Sequence, residues 1–172
     1  MKQEMIAQIG CSLENFRLPR YREIPNVGLY LEQTTKYIGD VLAPLGEEGI
    51  TSSMISNYVK RGVVANPVRK QYDRDRIAYL IFAMCAKKVL VTDHIKLMIA
   101  QQKKTYTPEK AYDYFCDEFE NILRYVFGLK DTVDVVGEEN TAQKIMLRNC
   151  IITAAHKIYL DKLFCELERE TD

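Results

Sequence analysis

The 172-residue sequence predicts an all-α fold. Apolar residues recur at helical spacing through nearly every segment, and almost nothing alternates with the period of two that marks a half-buried strand. Helix boundaries are also legible, with Thr, Ser or Asp ahead of apolar runs and Gly or Pro behind them. The longest apolar run, Ile77 to Ala86, is ten residues, far short of the roughly 20 that a membrane-crossing helix requires. No membrane partner is expected.

Taken in order, the opening residues up to Phe16 read as a short helix. "RLPRYREIPNVG" follows, where Pro19, Pro25 and Gly28 mark an irregular crossing. "LYLEQTTKYIGDVLAPL" places Leu31, Thr34 or Thr35, Ile38 and Leu42 at helical spacing, with Pro44 as the stop. "GEEG" at 46–49 is a turn. Thr51 or Ser52 then caps a second helix, in which Met54, Ile55, Tyr58 and Val59 form two i, i+4 pairs facing inward. The opposite face carries Ser53, Ser56, Asn57 and Lys60, and Gly62 ends the helix.

"VVANPVRKQY" is too short for a helix and reads as a small hairpin or wing turning at Asn-Pro. Asp73 caps the next helix, "RDRIAYLIFAMCAKKV", and Thr92 caps another, "DHIKLMIAQQKK". Thr107 followed by Pro108 opens a long helix to about Phe127, with Gly128 just beyond. The loop "LKDTVDVVGEEN" leads to a final helix from about Thr141 to Glu168, about 42 Å long. The two long helices imply a C-terminal helical hairpin. The domain division that follows is 1–104, holding the N-terminal segment and the basic core, and 105–172, a helical region for dimerisation or effector binding.

Charge is distributed unevenly along this plan. Residues 1–50 hold 5 basic and 7 acidic side chains, residues 51–104 hold 11 and 3, and residues 105–172 hold 8 and 14. A net charge of zero therefore conceals a middle segment of +8 between flanks of −2 and −6. Such a segment fits a polyanionic partner, although a solvated lysine- and arginine-rich face has the same composition. The order helix, turn, short polar-faced helix, glycine, wing, capped helix is the outline of a winged helix-turn-helix, whose second helix enters the DNA major groove.

The segment resembles the DNA-binding domain of MerR-type transcription regulators. Ile55, Tyr58, Lys60 and Gly62-Val63-Val64 fall in the pattern of that family's recognition helix. Tyr72 with Asp73 as a cap matches the end of its wing, and "VTDHIKLMI" is similar to the start of its following helix. A closer resemblance is to an uncharacterised bacterial family, a domain of unknown function to which a helix-turn-helix is assigned. It is carried by Pro19, Pro25, Leu29-Tyr30, Gln33, "MISNYVK" at 54–60, Pro67, Lys70 and Tyr72, and covers about residues 18–100. Where MerR-type helices carry arginine and tyrosine, this chain has Ser56 and Asn57. Bidentate reading of guanine by arginine is absent from that face, while asparagine pairs with adenine edges.

Catalytic motifs do not accompany this outline. There is no glycine-rich phosphate loop, G-x-S-x-G or H-E-x-x-H, and Ser52 and Ser53 lack a nearby base. An enzyme is not expected, nor is a cofactor. His94 and His156 lie on separate helices without ligands at metal-binding spacing, so no metal is expected either. Asp113, Asp117 and Glu120 share a face of the 107–127 helix and read as a solvated surface. On that helix Tyr112, Phe115, Phe119, Ile122 and Val126 read as packing, the sharper alternative being an aromatic pocket for a small-molecule effector. The five scattered cysteines, Cys11, Cys85, Cys116, Cys150 and Cys165, suggest reduced thiols of a cytoplasmic protein, most of them core fillers on helices.

The expectation is a sequence-specific DNA-binding transcriptional regulator that acts on double-stranded DNA as a homodimer. Ser53, Ser56 and Asn57 would contact bases, with Lys60, Arg61, Arg69, Lys70, Tyr72 and Arg74 completing the site. The alternative is a protein-interaction adaptor that reuses the helix-turn-helix without DNA. Dimerisation is expected from the final helix, where Ile145, Cys150, Ile151, Ile152, Ala154, Ala155, Ile158, Tyr159, Leu160, Leu163, Phe164 and Leu167 cover much more than one apolar stripe.

Overall fold

The computed structural model describes residues 3–46, 49–137 and 141–171. The helices among them are α1 (Gln3–Cys11), α2 (Leu31–Leu42), α3 (Ser52–Lys60), α4 (Arg74–Ala86), α5 (Thr92–Lys103), α6 (Pro108–Val126) and α7 (Ala142–Thr171). A single two-stranded sheet joins β1 (Leu29–Tyr30) to β2 (Gln71–Tyr72), so the chain is mostly helical. Of the turn expected at 46–49, Glu47 and Glu48 lie outside the described residues. No described helix is long and apolar enough to cross a membrane.

The helix starts follow from local side-chain chemistry. Thr51 accepts the Met54 N–H at 3.2 Å, Asp73 the Arg76 N–H at 3.0 Å, and Thr107 the Lys110 N–H at 3.3 Å. Each satisfies a donor that the first helical turn leaves without a partner. Thr92 does not do this. It is already inside α5, and the Val91 carbonyl receives the N–H groups of His94 and Ile95 instead.

Helix α4 is the centre of the molecule. Nine of its 13 residues are buried, on every side of the helix, and it packs against α2, α5, α6, α7 and β2. A helix apolar around its circumference needs such cover on all sides. Helices α6 and α7 pack as the expected hairpin, and α7 at 30 residues is about 45 Å long. Helix α1 lies along α7; a Cβ at Gly10 would stand 2.8 Å from the Phe127 carbonyl oxygen, so only glycine fits there. One hydrophobic cluster runs from Met5 to Ile158. The 1–104 and 105–172 segments therefore share a core rather than packing as separate bodies.

The acidic face of α6 is a correction to the sequence reading. Asp113 accepts the Tyr21 N–H at 2.7 Å, Asp117 pairs with Arg20 at 2.8 Å, and Glu120 accepts the Leu18 N–H at 2.8 Å and pairs with Arg20 at 2.6 Å. These carboxylates hold the irregular crossing at 18–23 onto α6, and Glu120 is buried. Of the aromatic row, Phe119 and Ile122 pack in the core, while Tyr112 and Phe115 reach a cavity. Cys85, Cys116 and Cys150 are buried, but Cys11 and Cys165 are exposed.

The segment expected to form a hairpin or wing also differs in detail. The turn lies at Arg69-Lys70, not at Asn66-Pro67. Val68 and Gln71 exchange both backbone hydrogen bonds, at 3.0 and 2.9 Å, and the two residues between them have φ of 50° and 65°. That is the two-residue turn with both central residues left-handed, whose twist matches a hairpin. β2 then continues antiparallel to β1, with Leu29 opposite Tyr72 and Tyr30 opposite Gln71. Gly28 allows the approach, since a Cβ there would stand 2.7 Å from the Gln71 Cβ.

Candidate nucleic-acid interface

Helix α3 packs on α2 through Ile55 and Tyr58, both buried, with Met54 and Val59 half-buried beside them. The period of 3.6 then directs Ser53, Ser56, Asn57 and Lys60 outward, and all four are exposed. Their side chains have no hydrogen bond or ion pair among the described residues. The Thr35 and Ser52 hydroxyls lie 3.0 Å apart and join the start of α3 to α2. This is a rigid helix presenting short polar groups and one ammonium to solvent.

The remaining cations of the segment divide into two sets. Arg69 and Lys70 form the exposed turn of the hairpin, again with no ion pair among the described residues. Arg61 is half-exposed and pairs with Asp93 at 2.9 Å, while Lys96 donates to the Arg61 carbonyl at 3.2 Å. These bonds fasten the end of α3 to the first turns of α5.

Tyr72 and Arg74 belong to the scaffold. Tyr72 is 4% exposed, and burial raises its phenol above the ordinary value. Pairing β2 with β1 turns this ring inward, because alternate strand residues face opposite ways. Arg74 donates to the Ile24 carbonyl at 2.9 Å and to the Arg22 carbonyl at 3.2 Å, and its guanidinium lies 5.4 Å from the centre of the Tyr21 ring. Tyr21 in turn donates to Asp75, and burial together with that bond pushes its phenol up to about 12. Arg74 thus holds the 22–24 backbone against α4.

Arg76 is a residue the sequence reading passed over. It donates to the Asn66 carbonyl at 2.8 Å and pairs with Asp73 one turn earlier, so it seats the loop that leads into the hairpin. Its spacing of three from the cap Asp73 was the available signal. His94 and His156 are both exposed.

The family described as Domain of unknown function (DUF1836) matches residues 19–115, more than half of the chain. The chain belongs to that family. No curated protein matches the sequence, and no solved structure matches it. The DUF1836 segment contains α2, α3, the hairpin, α4, α5 and the first two turns of α6. It runs further along the chain than the 18–100 span of the sequence resemblance. Its two ends meet in the fold, where Asp113 holds the Tyr21 N–H and Glu109 pairs with Arg22 at 2.6 Å.

Proposed function

We propose that the chain binds double-stranded DNA through α3 and the Arg69-Lys70 turn, and acts as a sequence-specific transcriptional regulator. In this reading α2 and α3 are a helix-turn-helix of the MerR-like kind and the hairpin is its wing. The observation that carries it is the turn itself. A left-handed residue other than glycine costs roughly 1–2 kcal/mol, and asparagine-glycine is the usual solution to such a turn. Here both positions are long cations, exposed and without ion-pair partners among the described residues. Strain kept at an exposed tip points to a role for those two side chains outside the fold.

Arg69, Lys70 and Lys60 would neutralise phosphates, and Ser53, Ser56 and Asn57 would meet base edges in the major groove. Arg61 would join them only by exchanging Asp93 for a phosphate. The segment 105–172, at net −6, would face away from the duplex. A two-fold pair joined through α7 would match a palindromic site.

The test is fluorescence anisotropy of the full chain with random duplex pools across a salt series. Binding should be measurable at about 50 mM salt and should fall steeply above it, as counterion release requires. Selection from those pools should then yield a preferred sequence that Asn57→Ala relaxes at one or two positions. No affinity at the low salt would reject the regulator in favour of the protein-interaction adaptor.

A further inference from the structure

A cavity of about 380 Å³ lies between α4, α5, the first turns of α6 and the start of α7. That volume is within the range of organic-ligand sites, about 300–1,000 Å³. Its walls are apolar and aromatic, with Phe82, Ile99, Phe115 and Leu147 from four different helices. A cavity walled by four helices that are themselves packed on one core is preformed.

Its polar groups differ in what they have left to offer. Gln102 is engaged at both ends of its amide, accepting from the Tyr79 hydroxyl at 3.1 Å and donating to the Tyr106 carbonyl at 2.8 Å. Lys110 and Lys144 are not. The Lys110 ammonium stands 5.7 Å from the centre of the Tyr106 ring, and that of Lys144 stands 4.9 Å from the centre of the Tyr114 ring. Neither has an ion-pair partner among the described residues, and no aspartate or glutamate among those residues lines the cavity. Glu118, a buried acid further along α6, is paired with Arg148 at 3.1 Å. The first turn of α6, through Pro108 and Ala111, adds the positive end of a helix dipole to the same cavity. Gly137, at φ 78°, brings the preceding loop over Lys144; a Cβ there would stand 2.9 Å from the Lys144 ammonium.

We infer that this cavity binds an organic anion with a compact apolar body, its carboxylate received by Lys110 and Lys144. The aromatic walls take the body, and the two ammonium groups, held over rings with no counter-charge among the described residues, take the head. This site is separate from the proposed DNA face and does not depend on it.

The experiment is calorimetric titration of the full chain, without DNA, with three probes of one length: decanoate, decanol and decyltrimethylammonium. Decanoate should bind at least ten times more tightly than decanol, and the cation most weakly. The double variant Lys110→Gln, Lys144→Gln should lose that preference while retaining decanol binding. Both lysines lie at the protein surface or half-buried, so the fold is expected to survive, and the melting temperature checks it. The chain has no tryptophan, so a single Tyr114→Trp or Tyr106→Trp substitution reports from the cavity alone, and its emission should shift with decanoate. Equal affinity for decanoate and decanol, a preference that survives in the double variant, or silence of both tryptophan reporters would each overturn the assignment.

Discussion

The Arg20 guanidinium donates to the Glu120 carboxylate at 2.6 Å, joining two residues one hundred positions apart. The same carboxylate accepts the Leu18 N–H, and Arg20 is itself three-quarters buried. Arg20→Ala would leave a buried carboxylate with one backbone donor in place of a guanidinium. The expected loss is about 2–4 kcal/mol, below that of a fully buried pair because Arg20 keeps some contact with water. Urea unfolding measures it; a loss under about 1 kcal/mol would show that Glu120 finds another donor.

The hairpin turn permits stability and binding to be separated. Arg69→Asn with Lys70→Gly supplies the residue pair that this turn favours, so the folded state should gain about 1 kcal/mol. The same change removes two cations. Affinity for DNA should fall, and the slope of log affinity against log salt should flatten by about 2. A variant that is more stable and binds duplex as well as the parent would remove the turn from the interface.

Glu118 gives the stability a dependence on pH. Its side chain is fully buried, and burial raises its carboxyl above the ordinary value while Arg148 works in the opposite direction. A raised value in the folded state means that the folded protein holds this proton more tightly than the unfolded chain does. The contribution is complete below the ordinary carboxylate value and is lost as pH climbs through the folded-state value. Glu118→Gln removes this titration. The variant should therefore gain on the parent over the range where pH rises above the ordinary carboxylate value of about 4, as read by urea midpoints at each pH. A gap that stays constant or narrows over that range would contradict the assignment.

On α7 the exposed residues Ile145, Ile152, Leu160 and Phe164 are 51, 37, 45 and 57% accessible. Their spacings of 7, 8 and 4 put them on one side of the helix, away from Ile151, Ala154 and Ile158, which are buried. Sedimentation equilibrium at micromolar concentration should give the mass of two chains, and Phe164→Glu should give one. A parent protein that sediments as a monomer would end the dimer proposal. Cutting the chain at residue 104 is not an equivalent test, because it would open the shared core.

The parts of the fold that were legible in the sequence are those decided within one helical turn. Thr51, Asp73 and Thr107 act as caps because a short side chain reaches an amide three residues on. The outward set Ser53, Ser56, Asn57 and Lys60 followed from the inward set Ile55 and Tyr58. Two other features depend on partners far along the chain. Asp113, Asp117 and Glu120 have the spacing of a solvated face, and only the return of residues 18–21 turns them into an anchor. Tyr72 and Arg74 stood in a basic stretch, yet the pairing of β2 with β1 and the carbonyls at 22 and 24 draw both inward. The turn at Arg69-Lys70 was invisible for a different reason: it lacks the glycine or asparagine by which such turns are recognised.

Helix α4 belongs to the family segment, but part of its cover does not. Residues 19–115 supply α2, α5 and the start of α6, while α7 lies outside that span and packs on α4 as well. Descent from a common ancestor therefore constrains the two regions differently. Within the shared segment, individual positions must be kept, because caps, turns and ion pairs there act residue by residue. After residue 115, apart from Asp117 and Glu120, which hold Arg20, and Lys144 at the cavity, what must be kept is an apolar surface long enough to cover α4. Its sequence is free to drift wherever volume and hydrophobicity are preserved, so relatives of this chain should diverge fastest after residue 115 while retaining a long amphipathic helix there.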